Sequence, residues 1–183
     1  MSGFIPEIDR QVVRNPVAQD STALMQALKE YTEDAVKDLL LPVRVQRLGE
    51  TESFKAPDVY KMRLPDSKNA AKKAPYILHQ LLTTRNQQER GENLESSAVV
   101  RSIFCAYCDD EQEGGLHLLN MMERFRIPLL KNPLIGVGGQ FELNLQEGVE
   151  SLVYPDDTAP YFAGEIITTW RIPPVKREVL QVW

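Results

Sequence analysis

Cys105 and Cys108 form a C-x-x-C pair, a spacing that occurs in zinc sites and in redox-active thiols. A structural zinc site needs four ligands, usually two such pairs or added histidines. The two histidines of the chain, His79 and His117, do not stand in ligand spacing with this pair. A redox pair should head a helix, whereas Cys105 ends a predicted strand. Two buried or half-buried thiols are the favoured interpretation, and a thiol- or metal-dependent cytosolic enzyme is kept as an alternative.

The other chemical signals in the sequence are weaker. The acidic run from Asp109 to Glu113 lacks the ligand spacing of a calcium loop. The glycines at 136–139 precede a predicted strand rather than a helix, so they lack the geometry that cradles a phosphate. A serine or cysteine hydrolase needs a histidine partner, and neither histidine is placed for that role. We therefore expect no catalytic residue, no cofactor and no metal site in a protein that is not an enzyme.

The composition is that of an acidic globular chain. It has 183 residues, of which 43% are hydrophobic and 26% charged, with a formal net charge of −5. A free-standing nucleic-acid binder normally carries the opposite sign. No stretch approaches the ~20 apolar residues that cross a bilayer, and the N-terminus lacks the apolar core of a secretory signal. The two cysteines fit a reducing compartment.

Hydrophobic periodicity predicts two helices and several strands. The apolar stripe from Asp20 to Leu41 predicts a helix that Pro42 ends, and a second helix is predicted over 116–130. The strand over 99–107 has apolar residues on both faces, so it should be central in its sheet. Strands are predicted where apolar residues alternate or run together, at 43–48, 59–64, 76–84, 99–107, 141–145 and 161–172.

This order predicts an α+β fold, with a mainly antiparallel β-sheet and helices packed on one face. Residues 1–19 are expected to be an extended N-terminal arm, and 20–183 a single domain in which 43–74 is a variable loop and strand region. A long β-hairpin is expected, with a polar tip from Arg85 to Ser97. Trp170 and Phe162 fall on the apolar face of the last strand and are expected in the core.

Several segments after Pro75 share their order and texture with one protein family. They are Pro75-Tyr76-Ile77, the strand over 99–107 that leads into Cys108-Asp109-Asp110, the helix after Gly114 and the closing strand from Pro160 to Trp170 followed by Ile172-Pro173. On these segments the chain from about 75 to 183 resembles the tail terminator proteins of tailed bacteriophages and prophages, also called tail completion or head–tail joining proteins.

The resemblance implies a structural role in the virion. Such proteins form a ring, commonly a hexamer, that caps the head-proximal end of the tail tube and stops its polymerisation. The implied partners are other copies of the chain, the tail tube protein and the head–tail connector or stopper protein, with no membrane. DNA passes through the lumen without specific binding. The implied location is the neck of the virion, and the host cytoplasm during assembly. A head–tail connector or stopper, or a sheath-associated protein, is the alternative within the virion.

Long polar appendages without chemistry commonly serve contacts with other chains. The hairpin tip is the first candidate for contact with the next subunit or the tube, and the loop 65–74 and the arm 1–19 are the second. The predicted contact residues are polar or charged loop residues: Arg85, Gln87, Arg90, Glu92, Asn93, Lys68, Lys72 and Lys73.

Overall fold

The computed structural model describes residues 20–45, 53–65, 67–155 and 159–175. Within these ranges the fold is α+β, with two α-helices on one face of a seven-stranded sheet that is mainly antiparallel. The predicted arm 1–19 lies outside the described residues, as do 46–52 in the variable region. No helix among the described residues is long and apolar enough to span a membrane.

The elements follow the predicted order with additional short strands. The α-helices are α1 (Ser21–Val36) and α2 (Glu111–Lys131), and 3-10 helices occupy Ser67–Lys73 and Val137–Gly139. The strands are β1 (Leu41–Val43), β2 (Ser53–Lys55), β3 (Asp58–Lys61), β4 (Tyr76–Gln87), β5 (Glu95–Tyr107), β6 (Leu134–Ile135), β7 (Phe141–Leu143), β8 (Val149–Val153) and β9 (Tyr161–Ile172).

The large sheet has the order β3-β4-β5-β9-β7-β6, and β8 also pairs with β9. Among the described strands of this sheet, only β3 and β4 form a parallel pair. β5 lies between β4 and β9, which confirms the central strand that the apolar residues on both of its faces predicted. β1 and β2 form a separate two-stranded sheet, and β2 lies within the predicted variable region 43–74.

Helix α1 ends earlier than its apolar stripe predicted. The side chain of Asp20 caps its start by accepting from the amide of Ala23 at 2.9 Å. The helix ends at Val36, and the predicted end at Leu41 is wrong. Leu39 and Leu41 are still buried in the core after the chain has left the helix. The apolar pattern therefore continues beyond the helix because the following residues are also buried. For this reason the pattern predicted too late an end for α1.

Helix α2 begins five residues before the predicted position 116. Asp110 is its N-cap, and its carboxylate accepts from the amides of Gln112 at 2.8 Å and Glu113 at 3.1 Å. Acidic side chains in a first helical turn are favoured by the positive end of the helix dipole. Asp109 and Asp110 thus precede the helix, and Glu111 and Glu113 lie in its first turn.

The main core lies between the helices and the sheet. Trp170 on β9, Phe104 on β5 and Phe125 on α2 are fully buried there, and the Phe104 and Phe125 rings pack edge to face at 5.5 Å. The prediction that Trp170 is a core residue is confirmed. Phe162 is half-buried, and its ring lies so close to Gly114 that a Cβ at that glycine would be 2.0 Å from it.

Gly164 of β9 allows both β8 and α2 to lie close to that strand. A Cβ at this position would stand 2.8 Å from the carbonyl oxygen of Leu152 and 3.0 Å from Sδ of Met122. Since the Leu152 oxygen belongs to the backbone, the Gly164→Ala variant is expected to lose about 1–3 kcal/mol of unfolding free energy in urea titrations. Gly115→Ala is the matched control, because nothing lies within 4 Å of its added Cβ and alanine favours a helix. Equal stability of Gly164→Ala and the wild type would contradict this close packing.

Among the described residues, the opposite face of the sheet is covered at one end only. Tyr76, Leu78, Cys105 and Tyr107 form a smaller buried cluster there, against which Ala70 of the first 3-10 helix packs. Toward the hairpin connection, where β4 ends and β5 begins, the same face carries polar and charged side chains. Of the predicted contact residues, Arg85 and Gln87 lie on this polar part of the face.

Candidate assembly surface

The β4–β5 hairpin is longer, and its tip shorter, than predicted. The two strands stay paired as far as Gln87 opposite Glu95, so the connecting tip is only residues 88–94. The predicted tip from Arg85 to Ser97 is wrong because polar side chains do not prevent strand pairing in an exposed ribbon. Ser96 donates to the side chain of Asn86 at 2.6 Å across the two strands. All residues from 82 to 93 are exposed, so this part of the hairpin projects beyond the core.

The predicted contact residues form two groups at opposite ends of β4. Arg85 and Gln87 lie on the far half of the strand, and Arg90, Glu92 and Asn93 lie in the tip. The backbone of 67–73, which carries Lys68, Lys72 and Lys73, lies beside the start of the same strand. From Tyr76 to Gln87 the strand advances about 36 Å. One contact patch does not include both groups.

A concave polar surface, which we call the distal cavity, lies at the base of the projecting hairpin. Its volume is about 710 Å³. It is lined by Arg85 of β4, Glu95 of β5 and Arg171 of β9, together with Gln146 and Glu147 of the turn between β7 and β8. The cavity therefore presents guanidinium and carboxylate groups from three strands and one turn.

Sequence reasoning identified Arg85 but missed Arg171 and Glu147. Strand pairing brings them together, because Ser97 pairs with Arg85 on one side and with Arg171 on the other. The guanidinium of Arg171 also lies 3.4 Å from the carboxylate of Glu142 and 3.3 Å from Oε1 of Gln146. No local motif marks these residues, so only the register of β9 against β5 reveals them.

The charges on the hairpin have no ion-pair partners within the described part of the chain. They are Arg85, Glu89, Arg90, Glu92 and Glu95. By contrast, Arg124 pairs with Asp38 at 2.5 Å and Arg126 with Glu123 at 2.8 Å on the helices. The hairpin thus carries charges of both signs that are available to another molecule.

The sheet also has an unpaired edge on each flank. β3 pairs with β4 only from Tyr76 to His79, and no described strand covers the outer edge of β4 from Leu82 to Gln87. On the other flank, the outer edge of β8 has no described partner strand. Leu82 is 48% exposed and Leu152 of β8 is 49% exposed. Exposed strand edges are templates for pairing with another chain.

The two cysteines are free and buried. Burial raises the pKa of Cys105 to about 11, against a smaller lowering by its hydrogen bond with Tyr76. A thiol with such a pKa is protonated at neutral pH and is a poor nucleophile. Within the described ranges, no three histidine, cysteine or acidic side chains stand close enough to hold a metal ion.

His79 is fully buried between α1 and β5, with its ring 5.7 Å from that of Phe125. Its Nε2 lies 2.9 Å from the hydroxyl of Thr32 and its Nδ1 lies 2.8 Å from the hydroxyl of Ser102. Thr32 donates its own proton to the carbonyl of Leu28 at 2.7 Å, so it must accept from His79. We therefore assign the proton to Nε2, while Nδ1 accepts from Ser102. This histidine joins the helix layer to the sheet and is not available to a substrate.

No family model matches the chain, and no curated protein matches it. Among solved structures, one protein aligns over 93% of this chain and 99% of its own, with 11% sequence identity and a TM-score of 0.41. Similarity at this level carries no argument about fold or function.

Proposed function

We propose that the chain is a non-enzymatic virion protein. Its copies form a ring of six that caps the head-proximal end of a phage tail tube, ends tube polymerisation and joins the tail to the head connector. The observation that carries the proposal is the hairpin that projects beyond the core, together with the outer edges of β4 and β8, which no described strand covers. The sequence resemblance to tail terminators supports the same role. The partners are other copies, the tube protein and the connector or stopper of the neck.

The strand directions at the two unpaired edges are compatible with a ring. β4 and β9 run in the same direction because each is antiparallel to β5, and β8 runs against β9. β8 is therefore antiparallel to β4, the relation that neighbouring strands have in an antiparallel sheet. A contact between two unlike edges is heterologous, and repeating it closes a ring when the rotation divides a full turn.

The charge of such a ring is compatible with DNA passage. Each copy carries a formal charge of −5, so six copies carry 6 × −5 = −30. A strongly acidic assembly repels the phosphate backbone and disfavours tight DNA binding. DNA then passes through the lumen without specific contacts.

Lysine on either edge is expected to weaken ring formation. In Leu82→Lys and Leu152→Lys an exposed apolar residue on an edge is replaced by a charged side chain that resists strand pairing. Each variant should keep its unfolding free energy within about 0.5 kcal/mol, because the replaced side chains are half exposed. Each should lower self-association at least tenfold, measured by native mass spectrometry over a concentration series.

Val137→Lys is the control for these variants, because Val137 is 90% exposed and belongs to neither β4 nor β8 but to the 3-10 helix between β6 and β7. Wild-type assembly by both edge variants would show that the edges do not form the contact.

A connector or stopper of the neck shares the ring architecture and differs in its partner. Mixing the protein separately with purified tail tubes and with DNA-filled heads distinguishes them, because a terminator binds tube ends and a stopper binds the head vertex. The raised pKa of buried Cys105 gives no support to the thiol-dependent alternative.

A further inference from the structure

We propose that residues 176–183 of the chain bind in the distal cavity of the same copy. From the cavity they extend over the face of the sheet that is turned away from the helices, which we call the outer face. This segment has the sequence Lys-Arg-Glu-Val-Leu-Gln-Val-Trp and lies outside the described residues. The contact forms within one copy, so this inference does not depend on the proposed ring.

The described chain leads to the cavity at the point where the segment begins. β9 ends at Ile172, Pro174 lines the cavity, and Val175 is 75% exposed. Eight residues reach at most about 26 Å when they are extended. From Ser97, which also lines the cavity, to Ile103 the strand β5 advances about 20 Å. The segment can therefore cover both the cavity and the adjoining part of the outer face.

Apolar side chains continue from the cavity along the outer face. Val99 lines the cavity, and Ile103 lies four residues further along β5 on the same face. Between them, Arg101 of β5 pairs with Ile167 of β9. All three apolar side chains are only half-buried. The segment can cover them with its own apolar residues, which are Val179, Leu180, Val182 and Trp183. Removing this surface from water favours the contact.

The charges of the cavity and of the segment are complementary. Arg171 of the cavity lies 3.4 Å from the carboxylate of Glu142 and is paired with it. The other charged lining residues have no ion-pair partner in the described part of the chain, and they are two carboxylates and one guanidinium: Glu95, Glu147 and Arg85. The segment begins with two cations and one anion, Lys176, Arg177 and Glu178. An acidic excess in the cavity thus meets a basic excess at the start of the segment.

The indole of Trp183 reports on this contact. The chain has two tryptophans, and Trp170 is fully buried, so its indole N–H is an internal reference for an ordered side chain. In the ¹⁵N-labelled wild-type protein we expect the heteronuclear NOE of the Trp183 indole to match that of Trp170, also at concentrations at which the protein is monomeric. The Trp183→Phe variant assigns the two signals. A Trp183 NOE below about half that of Trp170 in the wild type would overturn the proposal.

Charge reversal on each side of the contact is the second part of the test. The cavity variant Glu95→Lys/Glu147→Lys and the segment variant Lys176→Glu/Arg177→Glu should each lower the NOE of Trp183 below about half that of Trp170. Combining all four substitutions should restore the wild-type value, because the carboxylates and the cations have then exchanged places. An unchanged NOE in both double variants, or no recovery in the combined variant, would contradict the proposed pairing.

Glu89→Lys/Glu92→Lys is the matched control, because it reverses two exposed carboxylates of the hairpin tip that do not line the cavity. Thermal midpoints within about 2 °C of the wild type confirm that the variants fold. Release of Trp183 by this control would overturn the cavity as the binding site. A Trp183 indole that is ordered only at concentrations at which rings form would place the segment on a neighbouring copy and overturn the contact within one copy. A wild-type protein that forms no ring at tube ends would overturn the proposed function and leave this contact intact.

Discussion

Replacing residues 88–94 with Asn-Gly is expected to give a folded monomer that no longer caps tails. Gln87 and Glu95 are directly paired, so a two-residue turn can close the hairpin without changing its register. The removed segment is exposed from 88 to 93 and lies outside the main core, so the unfolding free energy should change by less than about 1 kcal/mol. A phage that carries this variant should make tails of uncontrolled length, measured by electron microscopy of lysates.

A second tip variant separates the length of the hairpin from its chemistry. Replacing 89–93 with glycine and serine keeps the loop length but removes the charges of Glu89, Arg90 and Glu92. This variant should also fail to cap tails if the side chains make the contact. Tails of normal length with the Asn-Gly variant would show that the hairpin has no role in termination.

The second large effect is expected in acid, through His79. Burial lowers the pKa of its imidazole from the usual value of 6.5 to about 3 in the folded protein. The unfolded chain binds a proton at His79 more readily than the folded protein does. The stability gained from the buried neutral imidazole is therefore complete above pH 6.5 and is lost as the pH falls toward 3. At pH 5 the free energy of unfolding is about 2 kcal/mol lower than it is above pH 6.5 because of this histidine. Urea titrations at pH 7.5 and pH 5 measure it.

The contribution of His79 is isolated by comparison with His79→Gln. Glutamine keeps one donor and one acceptor for Thr32 and Ser102 and does not titrate, so this variant should lose about 2 kcal/mol less than the wild type between the two pH values. His117→Gln, in α2, is the control for replacing a histidine with glutamine. The imidazole of His79, followed by NMR, should stay neutral down to about pH 4. A normal titration near pH 6.5 would contradict its burial.

Features that depend on local pattern were predictable from the sequence. The apolar residues on both faces of 99–107 predicted the central strand, and alternation along 161–172 placed Trp170 in the core. Boundaries were less predictable, because Leu39 and Leu41 continue the apolar pattern of α1 after the chain has left the helix. The predicted strands of the hairpin were too short. Polar side chains are compatible with strand pairing in a water-exposed hairpin, so the polar stretch did not mark the end of either strand.

The sequence identified only some of the residues of the candidate assembly surface. Arg85 and the tip residues stood out as a polar stretch between two strands. Arg171 and Glu147 join them through pairing between strands that are more than sixty residues apart, and no spacing rule records such a register. The separation of Lys68 and Lys73 from the tip follows from the length of β4, which the sequence underestimated.

Electron microscopy of the purified wild-type protein mixed with purified tail tubes that lack it tests whether identical copies of this chain close into a ring at one end of a tube. We expect a single closed ring of six copies on one end of each tube, with tube growth stopped there. A protein that stays monomeric in this mixture, while tubes continue to grow at both ends, would contradict it.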